Sequence, residues 1–511
     1  MKKSLKSITT LFLAASLCFG GCSNGESTAN SSNDIVLADS EELLESTYPT
    51  LEVVALAADG APEIGAVSAI VVEQSTGTIL YEKDAHERLY PASMTKIITA
   101  LVVLDYYQPE ELVKVGTEIN EVAWDSSKAG HRVGETLTIR NLIRGLIIPS
   151  GNDSANVLAV AVARRAENDA LLNFAQSEIL FTKLMNDKAK ELGAVDTNFT
   201  NAHGYHEENH YSCAYDMALF SLAYMEIPIL AEIASERSFS GNGADNMFSD
   251  DDGLLTQDYA WRSHNLLITN NEYNYSFASG IKTGFTGQAG HCLAASAKKD
   301  QDSFITIIFD SEDPGRWLDA TGLFEYAFNE YENSILSRQY AALGEIGLVQ
   351  NNRLEGDTLS VVAAEEVIMY LPVGTAEHVV TTLTYDDAYT IADKEGVISL
   401  RAPIEIGAKV GTASFLVDGE EIMQVDVLAS RTINKWTVLS NIKYFFQNFL
   451  TIMMSIQGLI GLGIVLLALL LIYIVIRLVR RRGRRARAYG FRSPSKRGGA
   501  LKQPRKKHRF K

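Results

Sequence analysis

The stretch YPASMTK, residues 90–96, leads into the apolar helical run IITALVVL. Positions i and i+3 of a helix share a face, so Ser93 and Lys96 are expected side by side. The Ser93 hydroxyl would then lie at a helix N-terminus, where the helix dipole stabilises developing negative charge. A lysine buried beside another cation has a lowered pKa and can take the proton of a serine. The stretch therefore predicts a serine nucleophile with a lysine as its base.

Two further short strings carry side chains suited to the same chemistry. SGN occupies residues 150–152, which begin 57 residues after Ser93, and KTG occupies residues 282–284, a further 132 residues along. SGN lies between a helix ending in LIIP and a second helix that begins near ANVLAVAVA, which predicts a turn facing a cleft. There Ser150 can relay a proton to a leaving amine, and the Asn152 amide can hold a substrate peptide bond.

KTG lies in the predicted strand GIKTGF, beside the serine. Lys282 is the expected second cation, and Gly284 allows a substrate backbone to approach the edge of the sheet. Thr283 and Phe285 are the expected substrate-binding neighbours, and the backbone N–H groups of Ser93 and Phe285 are the expected oxyanion hole. Each string alone is commonly a solvated helix face, a cap or a turn. Their shared order, spacing and setting favour one site for acyl transfer.

The string HEENH, residues 206–210, matches a zinc-peptidase pattern in which two histidines one helical turn apart bind the metal. That chemistry requires a helix with an apolar face. Glu208 and Asn209 are polar, the preceding Gly204 does not favour a helix, and no third ligand follows at short spacing. We therefore favour a loop without metal, and we predict that the enzyme needs no cofactor.

The N-terminus carries an export signal, residues 1–22, with lysines before a short apolar run. The signal ends in FGGC, which leaves two alternatives: Cys22 is lipidated, or the signal is cleaved in the ordinary way. Residues 23–60 begin as a Ser/Asn/Gly-rich stretch, which is typical of a flexible tether.

The C-terminus predicts a membrane anchor. Residues 458–476 contain no charge, which predicts a transmembrane helix. Residues 477–511 contain sixteen Lys/Arg and no acid. Because the whole chain has a formal charge of −17, residues 1–476 carry −33. This asymmetry predicts a single-pass protein in the cell membrane, with an extracytoplasmic catalytic domain and a cytoplasmic tail. The tail favours contact with anionic lipid over nucleic acid. Residues 435–457 predict an interfacial helix, or alternatively an extension of the transmembrane helix.

The exported part predicts an α+β domain at residues 61–335 and a small all-β module at residues 345–430. Strand patterns at both ends of the larger domain enclose helical patterns, which implies one antiparallel sheet with a helical subdomain. Residues 241–253 are acidic and rich in turn formers, so we expect a surface insertion there. Cys213 and Cys292 can pair or remain buried thiols.

With YPASMTK, PSGNDSAN and GIKTGFT in this order, the chain resembles the serine D-alanyl-D-alanine carboxypeptidases, which are low-molecular-mass penicillin-binding proteins. The resemblance covers about residues 60–335, followed by the β module and the anchor in the family's order. It implies the penicillin-binding-protein/β-lactamase-like transpeptidase fold. It further implies removal of the terminal D-alanine from peptidoglycan stem pentapeptides through a Ser93 acyl-enzyme, and covalent inhibition by β-lactams.

Two other functions stay open at this point: a β-lactamase-like hydrolase and a catalytically inactive peptidoglycan-binding protein. Class A lactamases carry an additional glutamate, commonly in a Glu-x-x-x-Asn pattern between the second and third motifs. No glutamate between Ser150 and Lys282 has asparagine four residues later, which favours the carboxypeptidase. The basic residue for the substrate carboxylate is hard to place, and Arg262 is the candidate.

Overall fold

The computed structural model describes residues 51–53, 56–245 and 255–488. The predicted signal with Cys22, residues 23–50 and 54–55 of the predicted tether, residues 246–254 of the predicted insertion and the tail beyond residue 488 lie outside the described residues.

The larger domain is built on one six-stranded sheet, with two small two-stranded sheets beside it. The strands are β1 (Glu52–Val53), β2 (Ser68–Glu73), β3 (Thr78–Lys83), β4 (Leu112–Lys114), β5 (Thr136–Thr138), β6 (Ser238–Asn242), β7 (Asp258–Arg262), β8 (Ala278–Thr286), β9 (Gly290–Lys299) and β10 (Asp302–Ser311). The order in the large sheet is β1-β3-β2-β10-β9-β8, and the small sheets are β4-β5 and β6-β7. All neighbours from β3 to β8 pair antiparallel. The sheet thus joins strands from both ends of the domain, which confirms the prediction.

Helices cover both faces of this sheet. They are α1 (Lys96–Tyr106), α2 (Ile139–Ile147), α3 (Asn152–Ala166), α4 (Phe174–Glu191), α5 (Ala214–Glu226), α6 (Pro228–Ser235) and α7 (Gly315–Glu330). Because side chains alternate between the faces of a strand, Ile70 and Val72 of β2 join the core with α1 and α5, whereas Val71 packs with Trp317 of α7. Every residue of β2 is buried, as expected for a central strand covered on both sides.

A C-terminal all-β domain follows, as predicted. Its strands are β11 (Tyr331–Ser337), β12 (Ala342–Val349), β13 (Thr358–Ala363), β14 (Val367–Pro372), β15 (Val380–Tyr385), β16 (Thr390–Ala392), β17 (Ile398–Arg401), β18 (Lys409–Val417) and β19 (Glu420–Ala429). Strand β11 follows α7 directly and pairs with β14, while the other seven form one sheet over a separate apolar core.

Two helices end the described chain: α8 (Val438–Met454) and α9 (Ile456–Ala488). They are separate helices because Ser455 between them has an extended backbone, with ψ at 157°. Within the described residues, Gln457–Arg481 of α9 is the one helix long and apolar enough to cross a membrane. It is compatible with a single-pass anchor. Helix α8 exposes apolar side chains, among them Ile442, Phe445 and Phe449.

Three smaller predictions also have an outcome. Residues 203–210, which include HEENH, form bends and a turn and no helix, so the predicted loop is confirmed. Cys213 and Cys292 are free and buried. Of the predicted insertion, Gly241 and Asn242 complete strand β6, which forms a hairpin with β7.

Candidate active site

Ser93 lies in a tight turn between the sheet and the first helix. Residues Ala92–Thr95 form a single 3₁₀ turn that continues at Lys96 into α1. Ala92 has a φ of 45°, which a residue with a side chain rarely adopts. Lys96 Nζ lies 2.9 Å from Ser93 Oγ. The two side chains predicted to act as nucleophile and base are therefore in hydrogen-bond contact.

The Lys96 amine is fully buried and has polar neighbours on three sides. Besides contacting Ser93 it donates to Asn152 Oδ1 at 2.8 Å and to the His203 carbonyl oxygen at 2.8 Å. Burial, followed by the charge of Lys282, lowers the pKa of Lys96 well below its ordinary value, and the Asp153 carboxylate opposes this only in part. A neutral amine keeps two N–H donors for the two carbonyl oxygens, and its lone pair then faces the serine.

The SGN turn is held by the start of α3. Ser150 has a φ of 61° and is only 4% exposed, and Asn152 begins the helix. Asn152 N donates to the Ser127 carbonyl at 2.9 Å. The Asp153 carboxylate accepts three backbone N–H groups of residues 129–131, at 2.7 to 3.2 Å. The turn and the neighbouring loop are thereby fixed to each other.

KTG lies on β8, the edge strand of the sheet. A side chain at Gly284 would meet the Pro91 carbonyl oxygen at 2.8 Å, so only glycine lets the strand pass beside the serine turn. Burial, followed by the charge of Arg316, lowers the pKa of Lys282 to about 7. Its amine donates to the Thr283 carbonyl oxygen at 2.9 Å. Phe285 is 58% exposed and its ring stacks on His291.

The HEENH loop packs against the turn that carries Ser93 and holds it through His210. Thr95 Oγ1 donates to the Ala92 carbonyl oxygen, so the 2.8 Å contact with His210 Nε2 needs the proton of the histidine. His210 Nδ1 accepts from Thr200 N at 3.1 Å, and burial lowers the pKa of His210 to about 3. Both ring nitrogens of this neutral histidine are thus engaged within the protein, and His210 is a structural residue.

The arginine of the cleft is Arg316, which reasoning from the sequence missed. It lies in the first turn of α7 and donates to the Gly284 carbonyl oxygen at 3.2 Å. Arg262 is exposed on β7 and does not line the cleft. The sequence did contain one local sign that Arg316 has a special role. A cation in the first turn of a helix faces the unfavourable end of the helix dipole, so another role has to account for it.

These residues line a cleft of about 620 Å³. Six of the predicted site residues contribute to its wall, whereas the buried Lys96 and Lys282 and the exposed Arg262 do not. Its lining residues are Ser93, Asp125, Ser126, Ser127, Ser150, Asn152, Gly204, Tyr205, His206, His264, Thr283, Gly284, Phe285, Thr286, Gly287, Gln288 and Arg316. A cleft that joins a serine–lysine pair, an edge strand and an arginine can bind an extended peptide with a free carboxylate and transfer its acyl group to the serine.

Outside the cleft, one group of side chains within the described residues has the spacing of metal ligands: His86, Asp196 and Cys213. None of them lines the cleft. Arg88 donates to Asp196 Oδ1 at 2.9 Å, and burial raises the pKa of the Cys213 thiol to about 12. A cation already occupies one side of the group, and the thiolate that a metal needs is disfavoured.

Comparison with known families gives two matches. Residues 55–313 match the family model described as D-alanyl-D-alanine carboxypeptidase. Residues 342–435 match the model described as penicillin-binding protein 5, C-terminal domain.

Individual relatives show the same similarity. The chain is 29% identical over 378 residues to the D-alanyl-D-alanine carboxypeptidase DacF of Bacillus subtilis, covering 72% of this chain and 86% of that protein. It is 26% identical over 398 residues to DacD of Escherichia coli, a D-alanyl-D-alanine carboxypeptidase, covering 76% and 92%.

Solved structures agree on the fold. Penicillin-binding protein 5 of Haemophilus influenzae aligns with a TM-score of 0.57 at 24% identity, covering 74% of this chain and 99% of that one. Penicillin-binding protein 6B of Escherichia coli aligns with a TM-score of 0.54 at 24% identity, covering 74% and 99%.

Proposed function

The chain belongs to the D-alanyl-D-alanine carboxypeptidase family, and from this premise we propose that it removes the terminal D-alanine from peptidoglycan stem pentapeptides through an acyl-enzyme on Ser93. The family is one of serine-type carboxypeptidases of the cell wall. The observation that carries the proposal is the 2.9 Å contact between Ser93 Oγ and the amine of Lys96, whose pKa burial lowers well below its ordinary value.

In the first half-reaction Lys96 takes the hydroxyl proton while Ser93 Oγ attacks the carbonyl carbon of the penultimate D-alanine. The backbone N–H groups of Ser93 and Phe285 stabilise the oxyanion. The C–N bond then breaks, and Ser150 relays the proton that Lys96 took from Ser93 to the departing D-alanine amine. In the second half-reaction water hydrolyses the ester and restores the Ser93 hydroxyl.

The remaining residues bind the substrate. Arg316, which donates to the Gly284 carbonyl oxygen, holds the terminal carboxylate, because a guanidinium forms two parallel hydrogen bonds with a carboxylate. Asn152 binds the peptide bond, and Gly284 with Phe285 offers the edge of β8 for an antiparallel substrate strand. Peptidoglycan stem peptides are thus the substrate, and no nucleic acid is involved.

The proposal extends to inhibition and location. β-Lactams acylate the same Ser93 and persist there. Helix α9 crosses the cell membrane once, with the catalytic domain outside and the basic tail in the cytoplasm. A lipid on Cys22 would add a second anchor.

The deciding test uses the full chain in detergent, incubated separately with penicillin and with a peptide ending in D-Ala-D-Ala. We expect one penicilloyl adduct by mass and release of D-alanine, both abolished in Ser93→Ala. Rapid multiple turnover of penicillin without release of D-alanine would favour the β-lactamase-like hydrolase. A stable adduct without turnover of peptide would favour the catalytically inactive peptidoglycan-binding protein.

A further inference from the structure

Trp124 has no role in the catalytic machinery, yet it is 90% exposed. Trp261 and Trp317 are buried, and Trp436 leads into the membrane-proximal helix. At 90% exposure nearly all of the apolar area of the Trp124 indole is in contact with water, so covering it with a ligand would be favourable. The place of Trp124 in the fold indicates which ligand that could be.

The position of Trp124 is tied to the substrate cleft. It directly precedes Asp125, so their Cα atoms are about 3.8 Å apart, and Asp125 lines the cleft. Tyr205, 40% exposed on the cleft wall, donates its hydroxyl to Asp125 Oδ1 at 3.3 Å. Two exposed aromatic residues are thus connected to one carboxylate of the cleft wall, Trp124 through the chain and Tyr205 through a hydrogen bond.

The loop that carries Trp124 is fixed from several directions. Ser126 donates its hydroxyl to the Ala123 carbonyl oxygen at 2.7 Å. Trp261 Nε1 donates to the Ala129 carbonyl oxygen at 2.9 Å, and the buried His131 contacts Ser154 Oγ at 2.7 Å. Because the loop is also pinned by the Asp153 carboxylate, Trp124 is presented on a preformed platform, and binding a ligand there requires little ordering.

The chemistry around this platform fits a sugar ring. The apolar C–H face of a saccharide packs on an aromatic ring, while its hydroxyls need nearby donors and acceptors. Asp125, Ser127 and Lys128 are exposed within four residues of Trp124 in the same loop and supply both. A purely apolar partner would leave these polar groups unpaired, which is unfavourable.

We infer that Trp124, together with Tyr205, forms a saccharide-binding subsite, and that the enzyme prefers stem peptides still attached to peptidoglycan sugars. The inference rests on the proposed peptidase function. With the terminal carboxylate at Arg316, an extended pentapeptide reaches about 17 Å. Its amino end, which carries the sugars in peptidoglycan, therefore lies well away from the catalytic centre, where a subsite on the cleft wall can reach the sugars.

The test compares two substrates on the full chain: a free pentapeptide ending in D-Ala-D-Ala, and the same pentapeptide joined through its amino end to the peptidoglycan disaccharide. We expect Trp124→Ala to lower kcat/KM about tenfold on the disaccharide peptide, mainly through KM, and to leave the free peptide within about twofold; tenfold corresponds to about 1.4 kcal/mol. Trp124→Phe should retain most of the preference. Leu171→Ala, at a residue that is 89% exposed and outside the cleft, is the matched control.

Binding of the disaccharide alone, measured by calorimetry, separates this inference from the proposed function. Binding to the wild type and not to Trp124→Ala supports the subsite even if no D-alanine is released. Equal binding to both proteins, or equal loss of kcat/KM on both substrates, would overturn it.

Discussion

His210 Nε2 lies 2.8 Å from Thr95 Oγ1, two residues after the nucleophile. A histidine from a string that reads like a zinc motif thus supports the turn that carries Ser93. Its neutral, buried state gives stability a pH dependence. The pKa of His210 is about 3 in the folded protein and about 6.5 in the unfolded chain, so below pH 6.5 only the unfolded state gains the proton.

We therefore predict that the free energy of unfolding of the catalytic domain falls as the pH drops from 7 to 5. The contribution of His210 is full above pH 6.5 and decreases by up to about 1.4 kcal/mol for each pH unit below it. Denaturant titrations at pH 7, 6 and 5 measure this decrease. In His210→Asn the slope should be shallower, and an unchanged slope would show that His210 is not the group responsible.

The second prediction concerns the base. Lys96→Ala should reduce acylation by a fluorescent penicillin by several powers of ten, because the members of one catalytic unit act together. Lys96→Arg is the informative partner, since it keeps the positive charge but cannot become neutral at ordinary pH. Both variants should be almost unlabelled. Substantial labelling of Lys96→Arg would mean that a cation at this position suffices and that Lys96 is not the proton acceptor.

The third prediction concerns the electrostatic coupling of the two buried lysines. The positive charge of Lys282 lowers the pKa of Lys96, so Lys282→Gln should raise it and move the acidic limb of the pH–rate profile for acylation to higher pH. Lys282→Arg keeps the charge and should move the limb much less. The measurement is the second-order acylation rate between pH 5 and 9. A limb that stays in place in Lys282→Gln would contradict the coupling.

Arg316 and Arg262 provide a matched pair for the fourth prediction. A hydrogen bond to a charged group contributes about 1.5–3 kcal/mol, so Arg316→Ala should lower kcat/KM about ten- to hundredfold on a peptide with a free terminal carboxylate. On the corresponding peptide amide the loss should be much smaller. Arg262→Ala, away from the cleft, should leave both rates unchanged. Equal losses on acid and amide would remove Arg316 from carboxylate recognition.

The fifth prediction concerns membrane topology. Protease added to cells without a wall should release the catalytic domain and spare a tag placed after Lys511, because the basic tail stays in the cytoplasm. A chain ending before Trp436 lacks α8 and α9 and should be recovered in the soluble fraction. Loss of the tag in intact cells would reverse the orientation.

The three motifs could be found in the sequence because each fixes its own backbone locally: a serine turn at a helix start, a turn between two helices, and a glycine on a strand. The strand patterns at both ends of the domain also implied a sheet built from both ends. Arg316 was not found because it lies 34 residues after Lys282 and reaches the Gly284 carbonyl oxygen only through the packing of α7 on the sheet. Apart from the unusual cation in the first turn of α7, this contact between elements distant in sequence leaves no local pattern.

The same limit applies to His210 and Asp153. The sequence predicted that HEENH is a loop, but its contact with Thr95 crosses 115 residues. Asp153 follows the SGN string and reads as an ordinary acidic residue at a helix start. Only the folded chain shows that its carboxylate holds the backbone of residues 129–131.

Two glycines enclose the turn of the nucleophile. Added side chains at Gly204 and Gly284 would collide with the Ala92 and Pro91 carbonyl oxygens. If the proposed function holds, both the peptide substrate and the β-lactam react at this crowded turn. A substitution there therefore lowers the reaction with the peptide together with the reaction with the β-lactam. Selection for resistance has little freedom at these positions. Variants that distinguish a β-lactam from a peptide are therefore expected among exposed residues of the cleft wall such as Phe285, where a change leaves the backbone of the turn in place.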